Sequence, residues 1–278
     1  MTIDLHMHST ASDGTLSPTE LMRFAAECGC NTVALTDHDT AAGVSEARSE
    51  AHRLGIRFIA GIEVSSLWGG RSIHVVGLGI DDTNPVLTSK VREFEVSRTR
   101  RAAQIAEKLA ALGIPGMLEK ATAFAENKLN VSRVHFALAL LEAGAVKKQQ
   151  EAFDRYLGDG KPAYIMAPWP TVAEAVDLIH TAGGIAVMAH PGRYHFKNDW
   201  TVDELMKDFA AAGGEAVEVI SGSQQPDFTP RCLAWAREYK LLVSTGSDFH
   251  SKTGTRPMPG TQGQLPAGYT SVLSKLTN

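Results

Sequence analysis

The residues of this chain best suited to chemistry are histidines and carboxylates spread along its length: His6 and His8, then Asp13, His38, Glu63, His74, His190, Asp248 and His250. They include six of the ten histidines. A single core imidazole is ordinarily a satisfied structural residue, and an isolated H-x-H carries little specificity. Six imidazoles and three carboxylates brought together are different, because such groups crowded out of water are costly without cations between them. Mixed imidazole and carboxylate donors suit zinc, manganese or iron better than calcium or magnesium. Nine donors exceed the needs of one ion and suffice for two or three that share a bridge. Chemistry of that kind requires no serine or cysteine nucleophile, since divalent ions make hydroxide from water near neutral pH and neutralise charge on a reacting oxygen.

Secondary structure must bring these residues together. Read as a strand, Thr2 to Ser9 puts Ile3, Leu5 and Met7 on one face and Asp4, His6 and His8 on the other. Ser17-Pro18-Thr19-Glu20 is a capping box that opens a helix to about Gly29. Asn31 to Thr36 is the second strand and ends in Asp37-His38-Asp39; the helix after it stops at Gly55. Ile56 to Val64 and Ser72 to Ile80 are the third and fourth strands, carrying Glu63 and His74. Capping boxes at Thr171–Glu174 and Thr201–Glu204 open helices that precede strand five, Ile185 to Ala189, and strand six, Ala216 to Ile220. Strand seven is Leu241 to Thr245, followed by Gly246-Ser247-Asp248-Phe249-His250. This order implies βα units and a mainly parallel sheet, closed as a barrel or left open. The barrel is favoured, because most candidates lie at or just past strand C-terminal ends, where parallel barrels build active sites. Glu63 and His74 lie further inside their strands.

From about Asn84 to Met166 the βα rhythm gives way to a helical insertion. Asn84-Pro85 opens a long helical pattern to Leu112, and a later helix starts at Ser132 and ends at Gly144. The basic run Ser97-Arg98-Thr99-Arg100-Arg101 reads as a solvated helix face, with a phosphate-binding groove as the rival. None of the nine candidates falls within 98–166, so the insertion is expected to set substrate choice, and its removal to spare metal binding. Ser132-Arg133-Val134-His135 combines a helix start with an arginine fork, a setting suited to phosphate; the rival is a plain N-cap beside a surface charge. Arg193, His195 and Arg256, just past donor-bearing segments, are further substrate-binding candidates.

Composition bounds the remainder. The 278 residues, 44% hydrophobic and 21% charged, are those of an ordinary globular protein with one large domain, or one domain carrying an insertion. A net charge of −4, from 31 acidic and 27 basic residues, argues against a wholesale electrostatic grip on nucleic acid or anionic membrane. Cys28, Cys30 and Cys232 form no C-x-x-C pair and suggest no disulfide framework. No spanning or secretory segment is evident, so a cytoplasmic location is expected, with no membrane partner and no obligate protein partner.

His6-x-His8, Thr36-Asp37-His38-Asp39, Glu63, His74, Ala189-His190-Pro191 and Ser247-Asp248-Phe249-His250, in that order, resemble the PHP (polymerase and histidinol phosphatase) family of metal-dependent phosphoesterases. The resemblance covers nearly the whole chain outside the insertion. It implies an α/β fold, a distorted seven-stranded (βα)7, TIM-like barrel over 1–97 and 167–278, with a helical insertion or cap over 98–166. It also implies one metal held by His6, His8, Glu63 and Asp248, a second by Glu63 as bridge with His74 and His190, and a third by Asp13, His38 and His250. Asp13 supplies a carboxylate where some relatives have histidine. Two or three divalent ions are expected, manganese first, with iron or zinc as alternatives. Asp13, His38, Glu63, His190, Asp248 and His250 are the expected catalytic residues; Ser132, Arg133, His135, Arg193 and His195 are expected to bind substrate. Asp37, Asp39 and His195 are candidates for the leaving-group acid.

Within the family, a short chain with an insertion after the fourth strand resembles phosphatases of nucleoside 3′,5′-bisphosphates and enzymes that trim short RNA from its 5′ end. The implied reaction is attack of metal-activated hydroxide on a nucleotide phosphate ester. Histidinol-phosphate phosphatase is the alternative within the family, and a non-catalytic PHP scaffold is the alternative of another class. Amide hydrolysis in a related metal barrel would call for a bridging lysine, and no lysine sits at an expected strand end.

Overall fold

The computed structural model describes residues 2–196, 201–253 and 256–276. Its sheet runs in chain order through β1 (Ile3–Asp4), β2 (Thr32–Leu35), β3 (Arg57–Trp68), β4 (Arg71–Leu78), β5 (Ile185–Met188), β6 (Ala216–Ser221) and β7 (Leu242–Gly246). The ends meet: Leu5 N–H donates to Thr245 O at 3.1 Å, Asp248 N–H to His6 O at 2.8 Å, and Met7 bridges Phe249 in parallel. The result is a seven-stranded, nearly closed α/β barrel. Around it pack α1 (Pro18–Glu27), α2 (Val44–Leu54), α7 (Val172–Thr181), α8 (Val202–Ala211) and α9 (Thr229–Glu238). The capping boxes of Ser17, Thr171 and Thr201 all form, fixing where α1, α7 and α8 start.

Two local readings of the strands change. β4 runs antiparallel to both β3 and β5, turned back by Gly69 and Gly70, both at positive φ. This places the interior positions of Glu63 and His74. β3 continues five residues beyond Glu63, and the returning β4 carries His74 opposite Ser65, so both residues reach the rim where the parallel strands end. The first stretch is not one alternating strand either. Only Ile3–Asp4 pair regularly with β2, and the chain then crosses to the β7 side. Leu5 therefore packs with the strand residues Ala34, Ile59 and Val187, whereas Met7 packs with Leu21 and Met22 of α1.

The segment between β4 and β5 carries α3 (Pro85–Ala111), α4 (Met117–Phe124), α5 (Arg133–Glu142) and the short α6 (Gln149–Ala152), which runs into a wide helical turn at Phe153–Leu157. These helices bury an apolar cluster of their own, with Leu109, Phe136, Leu140 and Leu157 fully enclosed. Leu87, Phe94, Arg98, Ala102, Ile105 and Leu109 form the buried stripe of α3, spaced as helical periodicity requires. Among the described residues no helix is long and apolar enough to cross a membrane.

Candidate metal centre

Glu63 is the hub of the cluster. Its Oε1 lies 3.3 Å from His6 Nε2, 3.0 Å from His74 Nδ1 and 3.0 Å from His190 Nε2; its Oε2 lies 3.3 Å from His8 Nε2 and 2.9 Å from His38 Nδ1. Asp248 Oδ1 is 3.3 Å from His8 Nε2 and 3.7 Å from His6 Nε2. Asp13 Oδ1 is 3.3 Å from His250 Nε2 and 4.0 Å from His38 Nε2. All nine candidates thus converge in space. They fall into four overlapping sets: His8, Asp13, His38, His250; His6, His8, Asp248; His6, Glu63, His190; and His38, Glu63, His74. The His38, His74 and His250 side chains keep 13%, 19% and 19% exposure while the others are nearly sealed, so the cluster opens to solvent on their side.

The donors fit divalent cations. Ligand atoms ~2.1 Å from one ion at tetrahedral angles stand roughly 3.4 Å from each other, close to most separations here. Despite these close approaches, buried His6 Nε2, both ring nitrogens of His8, Asp13 Oδ1, His38 Nδ1 and Glu63 Oε2 make no hydrogen bond of acceptable geometry among the described residues, a costly arrangement for a cluster without cations. The carboxylates are held ionised, as ligation of a cation requires. Burial alone would raise the Glu63 carboxyl, but His38, His74, His6 and His190 hold it well below the ordinary carboxylate range. Against the same burial, Arg256 and His6 hold Asp248 down, and His38 and His250 hold Asp13 down. Burial, reinforced by Arg193, lowers His190 to about 3, leaving the neutral imidazole that a metal needs.

The backbone is strained to aim these groups. Asp39, His190 and Asp248, at φ 54°, 30° and 52°, account for three of the four non-glycine residues with positive φ among the described residues. Gly246 is required by close approach, because a Cβ there would overlap that of His6. Buried carboxylates brace the ring positions. Glu218 of β6 accepts from His6 Nδ1 at 3.1 Å, leaving Nε2 to face the cluster, and from His190 N–H at 2.8 Å. Asp4 accepts from Ser247 N–H at 2.9 Å and Gly260 N–H at 2.9 Å. Glu218 escaped the sequence reading, although a glutamate within an apolar strand was a readable signal.

Of the leaving-group candidates, Asp37 accepts from Ser9 N–H at 2.8 Å and from the Ser9 and Ser12 hydroxyls at 2.6 Å. Asp39 accepts from Ser65 N–H at 2.6 Å and from Arg98. Both are buried framework groups outside the cavity lining. His195 is exposed, lies outside that lining, and takes part through its carbonyl, which accepts from Arg71.

Above the cluster is a cavity of about 830 Å³, with Asp13, His38, His74 and His250 at its floor. Arg98, Arg101, Arg133, Arg193 and Arg256 line it, with Ser132, His135 and the aromatic rings of Phe124, Phe153 and Trp169; among the described residues no lysine does. The basic run is therefore not one solvated face. Helical geometry sends Arg100 outward, Arg98 into the interior and Arg101 to the cavity wall, where Arg101 Nε donates to Ile165 O at 3.0 Å. Burial, with Arg133 and Arg98 nearby, lowers Arg101 to about 9. Ser132 is the N-cap of α5: its Oγ accepts from Val134 N–H at 3.1 Å, while its N–H donates to His135 Nδ1 at 2.9 Å. Arg133 is half-buried, 3.5 Å from Asp159 and over the Tyr164 ring.

Comparison with known proteins agrees with this geometry. Residues 4–210 match the PHP domain. A 5'-3' exoribonuclease of Haemophilus influenzae is 45% identical over 251 residues, 90% of either chain. A 3',5'-nucleoside bisphosphate phosphatase of Chromobacterium violaceum is 43% identical over 271 residues, covering 98% of this chain and 92% of the relative. A solved structure from Chromobacterium violaceum, described as an amidohydrolase with bound sulfate and no metal, superposes with a TM-score of 0.93 at 40% identity over 99% of this chain and 96% of that one. The fold and site define a metal-dependent phosphoesterase, a hydrolase of phosphoric esters. The chain belongs to the PHP domain family.

Proposed function

We propose that this chain removes the 3′-phosphate of nucleoside 3′,5′-bisphosphates and takes the 5′ end of short RNA into the same site. The observation that carries this reading is one cavity with two poles suited to phosphate: the donor cluster at its floor and an arginine wall contributed largely by α3 and α5. A bisphosphate needs both, one for the ester to be cleaved and one for the group that stays. The two named relatives, a bisphosphate phosphatase and a 5'-3' exoribonuclease, support it.

In this reading His6, His8, Glu63 and Asp248 hold one divalent ion, Glu63, His74 and His190 a second, and Asp13, His38 and His250 a third, with manganese the expected metal. Such ions supply the Lewis acidity that makes water nucleophilic near neutral pH and offset charge on the phosphoryl oxygens. The chain's own residues do the rest. Glu218 fixes the ring of His6 and the backbone of His190, so the donors need no rearrangement when substrate arrives. Arg133 and the start of α5 bind the retained phosphate, where an arginine fork and the helix dipole act together. Phe124, Phe153 and Trp169 provide apolar area for a base. Histidinol phosphate is disfavoured, since its ammonium would face this arginine wall.

Phosphate release from adenosine 3′,5′-bisphosphate, adenosine 5′-monophosphate and histidinol phosphate, each with Mn²⁺, tests the reading. Preferred turnover of the bisphosphate, leaving the 5′-monophosphate, is expected. Faster hydrolysis of histidinol phosphate would overturn it.

A further inference from the structure

Two kinds of contact hold the backbone around the nine donors. Near His6, His190 and His74 the partners belong to the barrel: Glu218 bonds His6 and His190, and His74 N–H donates to Tyr194 Oη at 2.9 Å. The segments bearing Asp13 and His38 are also bonded by the helical insertion. Asn130 Nδ2 donates to His38 O at 2.7 Å, from a side chain only 1% exposed. Asn127 Nδ2 donates to Ala11 O at 3.0 Å, two residues before Asp13. Arg98 Nε and Nη2 reach Asp39 Oδ2 at 3.0 and 2.5 Å, beside His38, and this pair is sealed from solvent. Asp39 also has positive φ, a conformation that needs holding. Another polar link from the insertion to a donor-bearing strand, Asp159 with Arg71, is a partly exposed pair at the rim and fixes little.

We infer that Asn130, Asn127 and Arg98 are positioning residues for the Asp13, His38 and His250 donor group, so that cation binding there requires the insertion to be docked while His6, His74 and His190 on the other side of Glu63 are set by the barrel. This rests on the reading of the nine residues as cation ligands, and it reverses the expectation that removing the insertion spares all metal binding. The physical reason is local. Asn130 fixes the peptide that follows the His38 side chain, and Arg98 neutralises a buried carboxylate, Asp39, that would otherwise be free to pull the preceding residue, His38, out of line. Such supporting bonds are worth about 10- to 100-fold in metal affinity when lost.

The test is Mn²⁺ titration of the full chain by calorimetry, with metal content after dialysis, for wild type, Asn130→Ala and Asn127→Ala. The second variant, at a less buried side chain, covers the case in which the first does not fold. Selective weakening of one class of bound ion by about 10- to 100-fold, with the other classes unchanged, is expected. Titrations like wild type, or equal weakening of every class, would overturn the inference. A wild-type chain that binds no divalent ion would instead sink the ligand reading beneath it.

Discussion

The floor of the site and its wall are built on different plans. The floor takes its donors from strand ends and the turns just past them, where the sheet ladder and barrel closure leave the backbone little freedom. The wall takes most of its charges, Arg98, Arg101 and Arg133, from faces of α3 and α5, helices with an apolar core of their own. At the floor, convergence follows from topology: any residue just past a parallel strand meets the others. On the wall, a side chain meets substrate only because the whole helix is docked at a particular rotation. Chemistry and selectivity can therefore respond separately to substitution, and the contacts of Arg98, Asn127 and Asn130 mark where the two plans meet.

The largest effect should come from the hub. Glu63 contacts five imidazoles through two oxygens, and a glutamine can neither bridge cations nor carry the charge those rings face. Glu63→Gln should lower kcat by at least about 10³-fold, beyond the loss of a single oxyanion-type donor. The fold should persist by circular dichroism, with reduced metal content. Near-native turnover would break the division at its base. Next is the wall. Loss of a charge-assisted hydrogen bond costs about 1.5 to 3 kcal/mol, roughly 10- to 150-fold. Arg133→Ala should lower kcat/KM by that factor on a nucleoside 3′,5′-bisphosphate while sparing p-nitrophenyl phosphate and metal content. Equal losses on both substrates would place Arg133 at the reacting phosphate.

The same contrast explains what could be read from the sequence. The seven strands, the capping boxes and all nine converging donors were legible, because strand ends and caps are local signals and barrel closure then fixes where they meet. The hairpin that turns β4 back was less legible. Gly69-Gly70 signals a turn, but only the pairing shows that His74 returns to the rim of Glu63. The basic run divides between its two readings, Arg100 on the solvated face and Arg98 and Arg101 at the cavity, because residue type alone carries no helical phase. Leu87, Phe94, Ala102, Ile105 and Leu109 already mark a stripe that contains Arg98. Asn127 and Asn130 had no local signal, since their partners, Ala11 and His38, are remote in the chain.

Close behind the wall in expected effect is the support beneath the floor. Glu218 makes no approach to the cavity, so its effect must pass through His6 and His190. Glu218→Gln retains an acceptor for one of them but presents an amide where the imidazole N–H or the backbone N–H needs an oxygen. It should weaken Mn²⁺ binding by about 10- to 100-fold. The loss should appear in the ions nearest His6 and His190, the opposite selectivity to that expected of Asn130→Ala. Calorimetric titration of both variants checks this, and weakening of the same class by both would merge two networks that the structure keeps apart.

The smallest effect separates floor from wall most sharply, because one motif occurs in each. Thr171 caps α7 of the barrel, its Oγ1 accepting from Glu174 N–H at 3.2 Å; Ser132 caps α5 of the insertion in the same manner, with His135 as the reciprocal partner. Removing such a cap costs about 1 kcal/mol of stability, so Thr171→Ala and Ser132→Ala should lower Tm by similar amounts. Their kinetics should differ. Thr171 lies outside the cavity lining and Ser132 lies within it. Thr171→Ala should leave kcat/KM on a nucleoside 3′,5′-bisphosphate unchanged at a temperature well below either Tm. Ser132→Ala should lower it several-fold on the proposed reading, in which the start of α5 holds the retained phosphate, because loss of the cap frays its first turn. Thermal melts paired with kinetics on the bisphosphate decide the matter. If both variants lose stability and neither loses activity, the start of α5 is a helix cap alone, and the retained phosphate is held by arginines without help from the helix.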